Sequence, residues 1–489
     1  MNRLLALPVA VVLVIGCNSA PAPTSTPAPS EPPTASPSAG VTPAPTLPPS
    51  PGASIVPPTG TPGPSAALNI DKALIEAHLD ALQGIADANG GTRAAGTPGY
   101  DASADYVEQV MTDLGYRVER HSFDFPFSNE AEPVTLSVGA NTWRSPEWLH
   151  ASLYSASGDV EGTLQVVGLG GITNGCDQTD WNDFVSGRIA LVYGGGGCYS
   201  RQKVELAQDA GAVAIISMYP AWEMNQIRRP TLIDPAGITI PVIAAGREPA
   251  DALAGLEGQT AQLSAHIDAH TATVDNVIAT LPGESERIVM LGGHLDSVLE
   301  GPGINDNGSG VATLLSMAAS VAAQPQAHST IRFGFWSAEE FGDLGSKAYV
   351  DSLSVSEHSL IDAYLNLDMV GSPNPGRYVY DERGMALGSD ALTQRLLVAF
   401  EALGATATTT DTGGASDHFW FGNSGIPIGG VFSGLALMTS AEADLFGGVA
   451  FEPEDPCYHL ACDTTANVDL DMAQLMGQVV ANVLADLAY

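Results

Sequence analysis

Basic residues are scarce in this chain: 18 Lys and Arg stand against 55 Asp and Glu in 489 residues, a formal net charge of −37. That balance repels a phosphate backbone, which argues against nucleic acid as a partner. Charged residues make up only 15% of the chain, so the acidity reflects missing Lys and Arg as much as abundant acids. Such a surface favours solubility and is compatible with a saline habitat; some of its carboxylates could take calcium, at no assigned site. There is no Gly-x-Ser-x-Gly elbow, which argues against a serine hydrolase of that type. There is no His-Glu-x-x-His, which argues against the single-zinc endopeptidases built on that helix. Gly194 to Gly197 lacks the lysine of a phosphate cradle and reads as a loop. No internal repeat is evident. Cysteines number five, an odd count that is awkward in an oxidising compartment unless one thiol is otherwise occupied.

The amino terminus occupies that thiol. Met1-Asn2-Arg3 is a short basic start, and Leu4 to Ile15 is an apolar stretch too short to span comfortably as a mature anchor. Val14-Ile15-Gly16-Cys17 then resembles a lipobox. Residues 1–16 are therefore expected to be a signal peptide. The resemblance to bacterial lipoproteins implies a diacylglycerol on Cys17 and an extracytoplasmic protein lipid-anchored to a membrane. Residues 17–67 are almost wholly Pro, Ser, Thr, Ala and Gly, which cannot bury a core and form a tether. Of the four cysteines left, Cys457 and Cys462 flank His459 closely enough to staple its loop, and Cys176 and Cys198 fall close together. Both pairs are expected to be disulfides, since neither has the Cys-x-x-Cys spacing of a zinc-thiolate site.

Six residues, His294, Asp306, Glu339, Glu340, Asp368 and His459, lie at or just beyond the ends of apolar runs. Ile288 to Leu291 precedes His294, Thr330 to Trp336 precedes Glu339-Glu340, and Ala363 to Leu367 precedes Asp368. Three buried strands would thus deliver side chains to one rim, the crevice at which open α/β sheets bind ligands. Imidazole and carboxylate suit zinc. Two histidines and three carboxylates can seat two ions if one carboxylate bridges, which sets the metals about 3.5–4 Å apart. Asp306 is the candidate bridge, because the glycines around Asn305-Asp306-Asn307 let the backbone turn tightly against His294. Neighbouring Glu339 and Glu340 point different ways, so Glu340 is assigned to metal and Glu339 to proton transfer. A pocket floored by carboxylates favours a free amino terminus over an internal bond, which points to an exopeptidase.

The segments His294-Leu295-Asp296, Asp306-Asn307-Gly308-Ser309-Gly310, Glu339-Glu340, Asn366-Leu367-Asp368 and Cys457-Tyr458-His459 resemble, in order and spacing, the secreted dizinc aminopeptidases of metallopeptidase clan MH, of leucyl aminopeptidase and aminopeptidase Y type. The likeness extends to residues 89–100 and to Ser416-Asp417-His418. It implies that one zinc takes His294 and Asp368, the other Glu340 and His459, and that Asp306 bridges. It further implies Glu339 as general base to a bridging water, Asp296 supporting His294 from behind, Tyr458 as a donor to the oxyanion, and a cis bond after Asp306. In characterised relatives an arginine often precedes the Ser-Asp-His triplet. Ala415 stands there in this chain, which touches substrate binding rather than the metals.

The expected fold is α/β: a three-layer α/β/α zinc exopeptidase with a mixed, mainly parallel central sheet and an inserted β-rich domain. About 420 residues follow the tether, more than one ordinary core organises. The peptidase domain is expected to be discontinuous, over 68–149 and 271–489. The stretch 150–270 between them resembles the protease-associated domain on Gly211 to Ile216 and Ile240-Pro241-Val242-Ile243. The resulting expectation is a monomeric metallo-aminopeptidase acting on peptides, with apolar first residues. The alternatives are another exopeptidase or glutaminyl-cyclase-like enzyme on the same fold, and a non-catalytic surface receptor.

Overall fold

Two amphipathic helices, α1 (Lys72–Ala88) and α2 (Pro98–Asp113), begin the part of the chain that the computed structural model describes, namely residues 67–168, 174–195, 197–219, 229–381 and 384–489. Cys17 and the tether lie outside the described residues. Asp71 caps α1 by accepting from the Ala73 N–H, and Ile75, Leu79, Leu82 and Ala86 recur at helical spacing on its buried face. Thr97 caps α2, with Pro98 in its first turn, where a missing N–H costs nothing.

The chain then enters β1 (Arg117–Glu130) and crosses into a second sheet. Its strands are β2 (Thr135–Val138), β3 (Asn141–Arg144), β4 (Leu149–Ala151), β5 (Gly158–Val166), β6 (Ile189–Tyr193), β7 (Ala214–Met218), β8 (Val242–Ala245) and β9 (Thr260–Ala265), with helices α3 (Ser200–Asp209) and α4 (Arg247–Ala254). Their order across the sheet is β3-β2-β9-β5-β6-β7-β8-β4. The chain returns through β10 (Ile267–Leu281), which pairs antiparallel with β1 along its whole length, from Glu130↔Ile267 to Arg117↔Thr280. The insert therefore begins just after Glu130, not at His150 as the sequence suggests. β2 and β3 belong to it because Leu136, Val138 and Trp143 are buried in one core with Leu263 and Ala265. Two four-residue strands carry too little alternation to be read in advance.

The main sheet adds β11 (Ser285–His294), β12 (Ser329–Trp336), β13 (Ile361–Leu367), β14 (Tyr378–Tyr380), β15 (Thr408–Thr410) and β16 (Ile428–Phe432), in the order β1-β10-β12-β11-β13-β16-β14-β15. β12, β11, β13 and β16 run parallel at its centre, while β10 and β14 run against them. Alternate residues face opposite layers. Val289, Leu291, Phe333 and Leu365 pack with helices α1, α2, α5 (Gly310–Ala322) and the carboxyl-terminal helix Leu470–Ala488. Ile288, Met290, Trp336 and Tyr364 pack with Tyr349 of the helix Leu344–Ser352 and Phe421 of the helix His418–Asn423. The result is the three-layer arrangement, with Val479 and Val483 of the last helix buried against the sheet. Among the described residues no helix is long and apolar enough to cross a membrane.

Candidate metal centre

His294 is the last residue of β11, Glu339 and Glu340 follow β12 by a short turn, and Asp368 follows β13 directly. Adjacent parallel strands bring these ends together, as the crevice argument requires. Asp306 arrives on the loop before α5. Gly303 makes that turn at φ +59, and a Cβ there would lie 2.3 Å from the Asp306 carbonyl oxygen and 2.5 Å from the Ser297 side chain, so only glycine fits. The Asp306–Asn307 bond is cis. Asn307 ties the loop to β13 by donating from Nδ2 to the Leu367 carbonyl (2.8 Å) and accepting from the Gly310 and Met369 N–H groups.

The side chains converge on Asp306. Its Oδ1 lies 3.2 Å from His294 Nε2, which is also 3.2 Å from Asp368 Oδ1. Its Oδ2 lies 3.0 Å from His459 Nε2, which is 3.1 Å from Glu340 Oε2. Two triads, His294-Asp306-Asp368 and Asp306-Glu340-His459, thus share one carboxylate, each with its candidate ligand atoms within 4.8 Å of one another. Glu339 forms a third such group with His294 and Glu340.

The electrostatics fit cations. Burial alone would lower the imidazole of His459, yet Glu340 and Asp306 override it and push it up to about 10. His294 rises well above its ordinary value for the same reason, burial being outweighed by Glu339 and Asp368. Burial pushes Glu340 up to about 7 against the pull of His459, and burial raises Glu339 well above the usual carboxyl range despite His294. Asp306 is held low: hydrogen bonds from His294 and His459 outweigh its burial. One oxygen of Glu340, Oε1, is buried without any hydrogen-bond partner, a cost that a bound cation removes. Imidazole and carboxylate donors in this number match zinc chemistry.

A second layer holds the first. Ser416 donates to Asp368 Oδ2 at 2.7 Å and accepts from Asn366, so the Ser-Asp-His triplet acts behind the site and is not a nucleophile. Asp296 supports differently from the expectation: His294 Nδ1 faces the Asp296 main-chain oxygen at 3.1 Å, while the nearer carboxylate oxygen is 3.8 Å away. The Asp296 carboxylate instead accepts the N–H groups of Glu339 (3.2 Å) and Glu340 (3.3 Å), fixing the turn that presents both acids. Three supporting residues were not singled out from sequence. Asp463 accepts the N–H groups of Asn305 and Asp306, Asp455 accepts from Asn305 Nδ2, and fully buried Arg93 donates to the carbonyls of Leu295, Pro302 and Gly303. An acid after Cys462 and an arginine after Asn-Gly-Gly-Thr were visible; their burial and distant partners were not.

His459 sits at φ +61, in the left-handed region that disfavours a side chain. Its short loop is closed by the Cys457–Cys462 disulfide, Cα–Cα 5.3 Å, and by the Leu460 N–H donating to the Cys457 carbonyl. The ring of Tyr458 stacks on that of His459 at 3.7 Å between centroids. The second bridge, Cys176–Cys198, lies in the insert. Replacing Cys457 and Cys462 together by serine is expected to weaken zinc retention about tenfold, the scale of losing one support behind a ligand. Competition against a graded series of chelators measures it; unchanged retention would show that the loop holds its shape unaided.

Residues 276–484 match the model of peptidase family M28, and residues 160–253 match that of the PA domain. The probable lipoprotein aminopeptidase LpqL of Mycobacterium tuberculosis is 40% identical over 420 residues, covering 83% of this chain and 82% of its own. An aminopeptidase of Pseudomonas aeruginosa is 37% identical over 451 residues, covering 88% and 82%. Among solved structures, a zinc aminopeptidase from Bacillus subtilis superimposes with a TM-score of 0.68 at 27% identity, covering 86% of this chain and 96% of that one. The aminopeptidase of Aneurinibacillus sp. strain AM-1 gives 0.68 at 26%, covering 86% and 94%.

Proposed function

Since the chain belongs to peptidase family M28, we propose that it releases amino-terminal residues, apolar ones foremost, from peptides at a centre of two zinc ions bridged by Asp306. It is a zinc-dependent aminopeptidase, a hydrolase of the exopeptidase class. The observation that carries the two-ion reading is the division of Asp306, one oxygen toward His294 and the other toward His459. His294 and Asp368 would hold one ion and Glu340 and His459 the other. Bound zinc would acidify water and polarise the scissile carbonyl.

The remaining work falls to side chains. Glu339 lines the cavity beside Glu340 and His459, where burial keeps its affinity for a proton high. It takes the proton of the attacking water at its carboxylate and returns it to the departing amine. Tyr458, stacked on His459 at the cavity wall, offers its hydroxyl to the carbonyl oxygen as negative charge develops there. Asp296 keeps Glu339 and Glu340 on one rigid turn, so neither must reorganise during the reaction. Val298, Leu299 and Phe341 supply the apolar lining that suits an apolar first residue.

LpqL is named a lipoprotein, which supports reading Cys17 as the attachment point of an extracytoplasmic, membrane-anchored enzyme. The test of function is release of leucine from leucine-4-nitroanilide and from Leu-initiated peptides. Activity should vanish on chelation and return with zinc at two ions per chain. Chelator-insensitive turnover, or cleavage at internal bonds, would overturn the reading.

A further inference from the structure

The insert reaches the reaction cavity. A cavity of about 380 Å³ has Glu339, Glu340 and His459 on one side, and Leu153, Arg229 and Thr231 of the insert on the other. That far wall is a small piece of backbone pairing: the Leu153 N–H donates to the Pro230 carbonyl (2.9 Å), and the Leu232 N–H to the Leu153 carbonyl (3.2 Å). A second cavity, of about 640 Å³, lies behind it and includes Glu130, Glu147, His150 and Leu460. Arg229, Leu299 and Glu300 border both spaces. The partition between them is therefore built around one ion pair.

Arg229 belongs to the insert, yet among the described residues its polar side-chain contacts are outside it. Its Nη2 lies 2.7 Å from Glu300 Oε1 on the loop after β11 and 3.8 Å from Glu130 Oε1 at the end of β1, and its Nη1 donates to Asn129 Oδ1 at 3.1 Å. The Arg229 side chain is 8% exposed and that of Glu300 15%. A pair so desolvated is rigid, and removing one partner leaves a buried charge uncompensated. Without the guanidinium, Glu130 keeps His150, Ser145 and Ala151 as partners, whereas Glu300 loses its cation and is left a half-buried charge, which loosens the wall.

We propose that the Arg229–Glu300 ion pair is a clasp that holds the insert as the far wall of the substrate cavity, and so limits how much peptide is admitted beyond the scissile bond. The inference rests on the aminopeptidase reading and gives the insert a part in specificity. With the clasp closed, the smaller cavity suits short peptides. With it open, the two cavities join and the longer chain gains room. Arg229 is thus a positioning residue: it acts through the wall it fixes and takes no part in bond breaking.

The test compares kcat/KM for the dipeptide Leu-Gly and for a Leu-initiated decapeptide in wild type, Arg229→Met, and the charge-conserving variant Arg229→Lys. Arg229→Met should raise the decapeptide-to-dipeptide ratio about tenfold, chiefly through KM, the scale on which pocket contacts discriminate. Arg229→Lys, which keeps a cation between Glu130 and Glu300, should hold the ratio to within about threefold of wild type. Zinc content and melting temperature are measured alongside, because Gly301, next to Glu300, packs against the Leu460 backbone beside His459. If Arg229→Met does not fold, Glu300→Gln takes its place. An unchanged ratio in a zinc-loaded, folded Arg229→Met, or an Arg229→Lys that loses discrimination as fully as Arg229→Met, overturns the clasp. Wild-type enzyme that releases leucine from neither peptide overturns the aminopeptidase reading itself, and the clasp's role with it.

Discussion

Glu339→Gln is expected to lower kcat by about a thousandfold, within the range that a positioned proton-transfer group supplies, while zinc content stays at the wild-type level. The amide keeps the size of the side chain, and the backbone N–H that donates to Asp296 is untouched. What disappears is an acceptor for a proton. Burial raises the proton affinity of Glu339, against the pull of His294 and with Asp343 and Glu340 adding to it. Its neighbour Glu340 has its Oε2 3.1 Å from His459 and forms a triad with it and Asp306, which Glu339 does not join. The two adjacent acids are therefore separable by experiment: Glu339→Gln should spare the metal and Glu340→Gln should lose it. Steady-state rates with zinc analysis on the same preparations decide. Activity within about threefold of wild type in Glu339→Gln would remove this residue from the mechanism.

Asp306→Asn should have the opposite signature, losing metal first and activity in consequence. Under the proposed assignment both ions lean on this carboxylate, whereas His459→Ala removes a ligand from only one. After dialysis, Asp306→Asn should retain fewer than one zinc per chain and His459→Ala about one, with apparent affinity in the former weakened at least about a hundredfold, since loss of a mere supporting partner already reaches that scale. The structural ground is the pairing of separate oxygens with separate imidazoles, at 3.2 and 3.0 Å. An amide offers one oxygen and turns an N–H donor toward the other site. Two ions per chain in Asp306→Asn would refute the shared carboxylate.

Much of the centre was legible because its residues stand where the hydrophobic pattern stops. The runs before His294, Glu339 and Asp368 coincide with β11, β12 and β13, and a polar side chain at the end of a buried strand has few roles other than function. What escaped was set by tertiary contact. Nothing local marks Asp463 and Asp455, whose partners are the Asn305 and Asp306 N–H groups and the Asn305 side chain, far away in sequence. Asp296 was expected to face His294 with its carboxylate, and faces it with its carbonyl, because the carboxylate is taken up by two N–H groups of the β12 turn. Arg229 sits beyond the last recognisable strand before β8, and nothing local marks a residue whose partners are Asn129, Glu130 and Glu300.

The chain leaves the main sheet at Glu130 and re-enters it at Ile267, and these two residues are direct cross-strand partners. To the parent fold the whole second domain is therefore equivalent to the tip of a hairpin. It can be enlarged, exchanged for an unrelated module or trimmed to a tight bend without rethreading a single strand, so this lineage is free to change what stands over its reaction centre while the centre itself stays put.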